Sequence, residues 1–153
     1  MPFSTTLAKN ILNAIFAKNN AFSVPQEVYI GLCTNDPEAD NGSITELSGS
    51  GYARVLISKF SQTYPETISP ASGRTISNAY QINWTKATAD WERVNGFFLS
   101  TSKTVGETSA IYFYGKLDLS EEDEAAGGLL VEEGMIALFD PYSFQISFPA
   151  SDA

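Results

Sequence analysis

The sequence predicts an all-β fold, an antiparallel β-sandwich or small barrel, with one amphipathic helix at the N-terminus. From residue 27 onward, short apolar runs alternate with segments rich in Gly, Pro, Asn, Asp and Ser, as strands alternate with turns. Residues 143–148 alternate between polar and apolar, which is the period of a strand with one buried face. Before residue 27, the apolar residues recur instead at helical spacing.

The predicted helix covers residues 5–18. Ser4 can cap it with a hydroxyl group, and Pro25 prevents the helix from continuing. Its apolar stripe must be buried, and two positions remain open: the edge or end of the chain's own sheet, or a neighbouring subunit. The stripe consists of Leu7, Ile11, Leu12, Ile15 and Phe16.

Eight strands follow the helix. Short strands closed by antiparallel pairing are typical of a sandwich or small barrel. The strands form the predicted sandwich, residues 27–148. The sandwich belongs to a single predicted domain of residues 1–153, which is long enough to bury its own core. The predicted strands are 27–34, 52–60, 76–84, 93–100, 110–118, 129–131, 135–139 and 143–148.

Two of these strands carry apolar residues on both faces. Residues 96–99 read Gly-Phe-Phe-Leu and residues 111–114 read Ile-Tyr-Phe-Tyr, whereas a strand of a single sandwich leaves one face to water. The second face must therefore be covered by the helix or by another subunit. The candidate interface residues are Leu7, Ile11 and Ile15 of the helix, with Tyr112 and Tyr114.

Composition excludes several classes of function. The chain has no histidine and one cysteine, Cys33, which removes Ser-His-Asp and Cys-His sites, four-ligand zinc sites and an internal disulfide. The sequence contains neither the Gly-x-x-x-x-Gly-Lys-Ser/Thr loop nor the Gly-x-Gly-x-x-Gly turn that bind nucleotide phosphates, so no nucleotide cofactor is expected. A net charge of −9 repels nucleic acid and anionic lipid, and no window is apolar enough to span a bilayer. We therefore expect a protein that is not an enzyme, has no cofactor, and uses Cys33 as a small buried apolar residue.

After these exclusions, catalysis by a pair of carboxyl groups is the remaining catalytic possibility. Asp90 and Glu92 flank Trp91, and a glycosidase uses two carboxyl groups beside the sugar. The competing interpretation, which we favour, places Trp91 in the core and both carboxylates in solvent.

Residues 36–42 partly resemble a calcium-binding loop. Asp36, Glu38 and Asp40 occupy alternate positions, but the glycine comes one residue late and the closing acid, Glu46, one residue early. An irregular calcium site and a hydrogen-bonded turn opened by the Asp-Pro pair are both open interpretations.

Several residues around the glycines of residues 46–54 have predicted structural roles. Gly49 and Gly51 allow a positive φ where the chain re-enters the sheet. Tyr52 can bury its ring while its hydroxyl group stays hydrogen-bonded. Trp84 and Trp91 stand on either side of a small, turn-prone segment and are predicted to lock a strand crossing.

Arg54 begins an otherwise apolar strand. A charged group in that position needs an anionic partner. We expect a loop carboxylate such as Asp90 or Asp36 to provide it.

Five segments recur in the order and spacing of one known family. They are 29–37 (YIGLCTNDP), 46–54 (ELSGSGYAR), 87–91 (ATADW), 113–117 (FYGKL) and, more loosely, 134–139 (GMIALF). Together they resemble small bacteriophage virion proteins of the tail and tail fibre. The chain departs from the family at Glu92, where glycine is common, at Met135, where an acid is common, and in a long acidic insertion at 119–128 that we expect to be a solvated loop tip.

This resemblance implies a non-catalytic virion structural protein that assembles in the tail, baseplate or tail-fibre region. Its partners would be other copies of itself and neighbouring virion proteins, without nucleic acid or membrane, after synthesis in a host bacterial cytoplasm. Two alternatives stay open: a capsid decoration or head-fibre protein, and a module that binds a host surface glycan or receptor. In the last case, the residues stacking on sugar rings would be Trp84, Trp91, Tyr64 and Tyr80.

Overall fold

The computed structural model describes residues 4–17, 25–59, 68 and 73–147. A four-stranded antiparallel sheet lies at its centre. The helical elements are α1 (Thr5–Leu12), a π-helical turn (Asn13–Ala17) and α2 (Glu121–Ala125). The strands are β1 (Glu27–Cys33), β2 (Val55–Lys59), β3 (Thr75–Ser77), β4 (Ile82–Asn83), β5 (Gly96–Ser100), β6 (Ile111–Lys116), β7 (Leu138–Phe139) and β8 (Gln145–Ser147).

The strands pair antiparallel throughout these elements. The central sheet has the order β2-β1-β5-β6, and two smaller sheets pair β3 with β8 and β4 with β7. This mostly β architecture with an N-terminal helix confirms the predicted fold class. The assignment of residues 1–153 to one domain stays a prediction.

Helix α1 begins where the sequence predicts. The Ser4 hydroxyl oxygen accepts a hydrogen bond from Leu7 N–H at 3.1 Å, and the helix continues into the π-helical turn. Residue 18, the predicted last residue, lies outside the described residues. Among those that are described, no helix has the length and apolar composition to cross a membrane.

The start of α1 covers an edge of the chain's own sheet. Ser4 N–H donates to the Tyr112 carbonyl of edge strand β6 at 2.8 Å, and Leu7 is buried. The end of the same apolar stripe is not covered by the described residues. The exposed residues of the stripe are Leu12, Ile15 and Phe16.

One long predicted strand is interrupted. Residues 76–84 form β3 and β4 with a break at Asn78, which is fully buried. Its amide group donates to the carbonyls of Tyr80 and Asp140 at 2.8 Å, and its oxygen accepts Phe144 N–H at 3.0 Å. A side chain that binds backbone groups in this way replaces the strand ladder locally.

Other strand boundaries shift by a few residues. Strand β2 begins at Val55, because residues 52–54, the predicted start of the strand, follow a turn and belong to no strand. The predicted strand 129–131 is an isolated bridge between Val94 and Leu129, and the predicted strand 135–139 pairs only over β7. Residue 148 lies outside the described residues.

The acidic segment contains a short helix where a loop was predicted. Ser120 caps α2 by accepting the Asp123 N–H at 3.2 Å. All four residues of its first turn after the cap are acidic, and carboxylates near a helix N-terminus interact favourably with the helix dipole. The segment is largely exposed, as expected of a tip.

The core occupies both faces of the central sheet, because successive side chains of a strand point to opposite faces. The first cluster includes Ile30, Leu32, Trp84, Trp91, Val94, Leu99 and Phe144. The second cluster consists of Cys33, Phe98 and Ile111, packed against Ile44 and Tyr114. Strand β5 is therefore buried on both faces, as predicted, and residues of the same chain contribute to both clusters.

The closest packing in the sheet gives a first prediction. Gly31 lies opposite Phe98, and a Cβ atom at position 31 would come within 2.2 Å of the Phe98 Cζ atom. We expect Gly31→Ala to lower the free energy of unfolding by about 1–3 kcal/mol, as overpacked cores do. Chemical denaturation measures this change. The control Ser58→Ala, at an exposed position of β2, should change it by less than about 0.5 kcal/mol, and equal effects of both variants would contradict the close approach.

Candidate assembly surface

Arg54 forms a buried ion pair with Glu46. Its Nε and one terminal nitrogen donate to the two carboxylate oxygens at 2.8 and 2.7 Å, and both side chains are almost fully buried. The prediction that Arg54 pairs with Asp90 or Asp36 is wrong. Glu46 takes this place because it forms a bridge to Cys33, which brings it to the edge of β1 that also carries β2.

The remaining guanidinium N–H groups bind the chain that follows β5. They donate to the Ser100 hydroxyl and to the carbonyls of Ser102 and Glu107, at 3.1, 2.8 and 2.7 Å. Glu46 also accepts the Gly106 N–H at 2.6 Å. Every guanidinium donor is therefore paired inside the protein, which indicates a structural role for Arg54.

Tyr52 belongs to the same network. Its hydroxyl group donates to Glu46 and accepts the N–H of Leu32, both at 2.9 Å. Burial is the main cause that raises the pKa of Tyr52 well above its usual range. The ring is largely covered while the hydroxyl group is bonded, as the sequence predicts.

Trp91 is an internal anchor with 3% of its surface exposed. Its Nε1–H donates to the Ser50 carbonyl at 2.8 Å, and its ring meets the Tyr52 ring edge-on at 5.7 Å. Gly49 is required by this ring, because a Cβ atom there would lie 2.5 Å from Trp91 Cδ1. Of the two glycines predicted to have a positive φ, Gly51 has one, +82°, and Gly49 does not.

Trp84 is buried as deeply, also with 3% of its surface exposed. Its Nε1–H is buried and has no acceptor within the described part of the chain. Stacking of Trp84 or Trp91 on a sugar is therefore not supported, because each residue has only 3% of its surface exposed. Tyr80 is exposed, and Tyr64 lies outside the described residues.

The candidate catalytic carboxylates lie on the surface. Asp90 and Glu92 are exposed, and Asp90 accepts the Glu133 N–H at 2.8 Å. The arrangement agrees with the interpretation that places Trp91 in the core and both carboxylates in solvent.

The loop with calcium-like spacing is a hydrogen-bonded turn. Asp36 accepts the N–H groups of Glu38 and Ala39 at 3.0 and 3.3 Å, and Asp40 accepts the Asn35 amide at 2.7 Å. Across residues 4–17, 25–59, 68 and 73–147, no group of three or more Cys, Asp or Glu residues could hold a metal ion. The Asp-Pro turn is the interpretation that the geometry supports.

The predicted interface residues differ in exposure. Leu7 is buried and Ile11 is half-buried. Tyr112 and Tyr114 are half-buried in β6, and the Tyr114 ring packs on the second cluster. Ile15 differs from them, with 58% of its surface exposed.

Two exposed apolar features remain after the core is filled. The first, which we call the helix tip, consists of Leu12, Ile15 and Phe16, and Phe16 is 76% exposed. The second, which we call the distal pocket, is an apolar pocket that is open to solvent. Its lining includes Leu32, Trp84, Val94, Leu129, Leu138 and Phe139.

Sequence reasoning missed the distal pocket. Leu129 and Leu138 line it and are exposed, although both fall in segments predicted as strands. The apolar residues at 135–139 were the sequence feature that could have indicated the pocket. Apolar character alone, however, does not tell whether a strand faces a core or an opening.

The ion pair generates a second prediction. We expect Glu46→Ala to lower the free energy of unfolding by about 3–5 kcal/mol, because it leaves the Arg54 charge buried without a partner. The matched control is Glu124→Ala, which removes the exposed Lys116–Glu124 pair at 2.9 Å and should lower the free energy of unfolding by less than about 1 kcal/mol. Thermal and chemical denaturation compare the two variants, and a small effect of Glu46→Ala would contradict the buried network.

The buried thiol generates a third prediction. Desolvation is the largest of the causes that raise the pKa of Cys33, from 9.0 to about 12. The reactive species is the thiolate, so the native protein at pH 8 should react far more slowly with an aromatic disulfide reagent than the denatured protein. The unfolded thiol also ionises first as the pH rises, so the contribution of Cys33 to stability should fall between about pH 9 and 12. Cys33→Ala is the blank, and equal rates in the native and denatured chains would contradict the burial.

Comparison with known proteins identifies a family that this chain matches. The family model described as podophage GP4 fiber I protein gp80 matches residues 2–138. A search of curated proteins found no match. Because the family model covers most of the sequence, the chain belongs to the family of podophage GP4 fiber I proteins, which are phage fibre proteins.

Proposed function

We propose that the chain is a non-catalytic structural protein of the phage tail, in the tail-fibre or baseplate region, and that it assembles through contacts with copies of itself and with neighbouring virion proteins. The observation that carries this proposal is the exposed apolar surface of the helix tip and of the distal pocket rim, in a member of a fibre family. Grouped apolar side chains on a surface are typical of sites of protein contact.

The polar groups support a structural rather than a catalytic role. The buried Arg54 charge is paired with Glu46, and the Tyr52 hydroxyl group is also bonded to Glu46. Burial keeps Cys33 in the unreactive thiol form at neutral pH. The Asp90 and Glu92 carboxylates are exposed on the surface and lie in no enclosed cleft of the part of the chain that the structure describes.

Capsid decoration is the alternative location, since a head lattice would use the same kinds of surface. The fibre family favours the tail. A glycan-binding role would depend on residues other than Trp84 and Trp91, since both are buried.

The proposal generates a fourth prediction. The purified full-length chain should form a discrete oligomer at micromolar concentration, because exposed apolar side chains gain free energy when another copy covers them. Light scattering after size-exclusion chromatography measures the mass. Electron microscopy of phage particles labelled at residue 153 should show the label at the tail. A label spread over the capsid would favour decoration, and a strict monomer would contradict assembly through copies of the chain.

A further inference from the structure

We infer that the helix tip of one copy binds in the distal pocket of a second copy, so that the contact between copies is head-to-tail. This inference rests on the proposed function, because it names the two surfaces through which copies of the chain would assemble. Three properties of the described residues support it: the lining of the pocket, the shape of the tip and the distribution of charge.

The distal pocket has the lining of a site for an apolar side chain. The buried residues Leu32, Trp84 and Val94 form part of its wall, while the partly exposed Leu129 and Leu138 reach the surface. A pocket lined mainly by apolar side chains favours an apolar insert over a polar one.

The helix tip has the form of an insert for such a pocket. Phe16 is the most exposed of the large apolar side chains that the structure describes, at 76%. Lys9, Leu12 and Phe16 are spaced by three and four residues, so they lie along one side of the helical segment. The segment therefore presents apolar side chains in one row with a single positive charge.

Charge is divided unequally between the two parts of the chain. Residues 1–26 contain two lysines and no Asp or Glu, whereas residues 27–153 contain the other seven Lys and Arg and all eighteen Asp and Glu. At the pocket, exposed Glu132 and Glu133 directly follow the lining residue Val131, while Arg93, which precedes the lining residue Val94, donates to the Gly128 carbonyl. A basic segment carrying an apolar tip is thus complementary to an acidic body carrying an apolar pocket, and such complementarity favours this pairing over tip-to-tip contact.

The start of helix α1 and the distal pocket lie on different sides of the central sheet within one copy. Helix α1 begins beside Ile44 and Ile111 of the second cluster, whereas the pocket residues Leu32 and Val94 belong to the first cluster. A single tip seated in the pocket of a second copy joins two different surfaces. Such a contact is heterologous and closes into a ring or continues as an open array, whereas a reciprocal exchange of tips would close a two-fold dimer.

A mixing experiment tests the contact. Phe16→Ser removes the main apolar group of the tip and leaves the pocket, whereas Leu138→Arg blocks the pocket and leaves the tip. Each full-length variant alone should self-associate about tenfold or more weakly than the unmodified chain, as loss of an interface anchor predicts. An equimolar mixture of the two should form a 1:1 dimer, because one intact tip then meets one intact pocket. Sedimentation velocity measures both effects.

The control variant is Val105→Ser. It removes an exposed apolar side chain that belongs to neither the helix tip nor the distal pocket, so association should be unchanged. A cross-linking experiment decides the question even if Leu138→Arg fails to fold. Under mild oxidation, a Phe16→Cys chain mixed with a Leu129→Cys chain should give a disulfide-linked dimer of the two different chains, and a Val105→Cys chain in place of the second should not. The native Cys33 does not interfere, because it is fully buried.

The outcomes separate this inference from the proposed function. If the unmodified chain is an oligomer, both variants keep its mass and no mixed cross-link forms, then the tip and the pocket are not the contact, although assembly through other surfaces stands. If the unmodified chain stays monomeric up to the highest concentration reached and no cross-link forms, both are overturned.

Discussion

The buried pair between Arg54 and Glu46 fixes the path of the chain around the central sheet. Removing a charge from water costs roughly several kcal/mol, and the cost is offset when every polar atom of the pair is bonded. Here the guanidinium group donates to Glu46 and to acceptors in the chain that follows β5, and it lies 4.9 Å from the centre of the Phe98 ring. Glu46 and Arg54 both lie before β2, whereas the other acceptors of Arg54 lie at the end of β5 and after it. The network therefore joins two loops that are far apart in sequence. Neither loop can move alone without leaving buried N–H groups of Arg54 without their acceptors.

The covering of the second face of the sheet follows from the position of these loops. Phe98 is fully buried under Arg54, and Ile44, two residues before Glu46, packs on the same cluster. The sequence left the helix and another subunit as the two candidates to cover this face. A loop of the same chain contributes instead, together with the start of α1, because the ion pair holds that loop against the sheet. The double burial of β5 is therefore not evidence of oligomerisation.

Local patterns predicted the parts of this fold that local interactions decide. The Ser4 cap, the helical stripe and the bonded hydroxyl group of Tyr52 depend on residue type and near neighbours, and all three are present. The partner of Arg54 was not predictable in this way, because it depends on the bridge that brings Glu46 to β1. The break at Asn78 has the same cause, since two of its three backbone partners, at Asp140 and Phe144, are more than sixty residues away. The distal pocket was missed because whether an apolar residue faces a core or an opening depends on what packs beside it.

The side chains of the helix tip and of the pocket rim, Leu129 and Leu138, take no part in the hydrogen-bond network of Arg54, and this placement bears on how copies could meet. The start of α1 occupies an edge of the central sheet through the bond from Ser4 to Tyr112, so strand addition at that position of β6 would require the helix to leave. Contact through side chains at the helix tip and the distal pocket needs no such rearrangement. It would bury apolar surface, bring a basic segment to an acidic body and keep the buried network of Arg54 intact. For a fibre protein, a contact that leaves the fold unchanged has a further advantage, because the same monomer can fold first and be added to the particle afterwards.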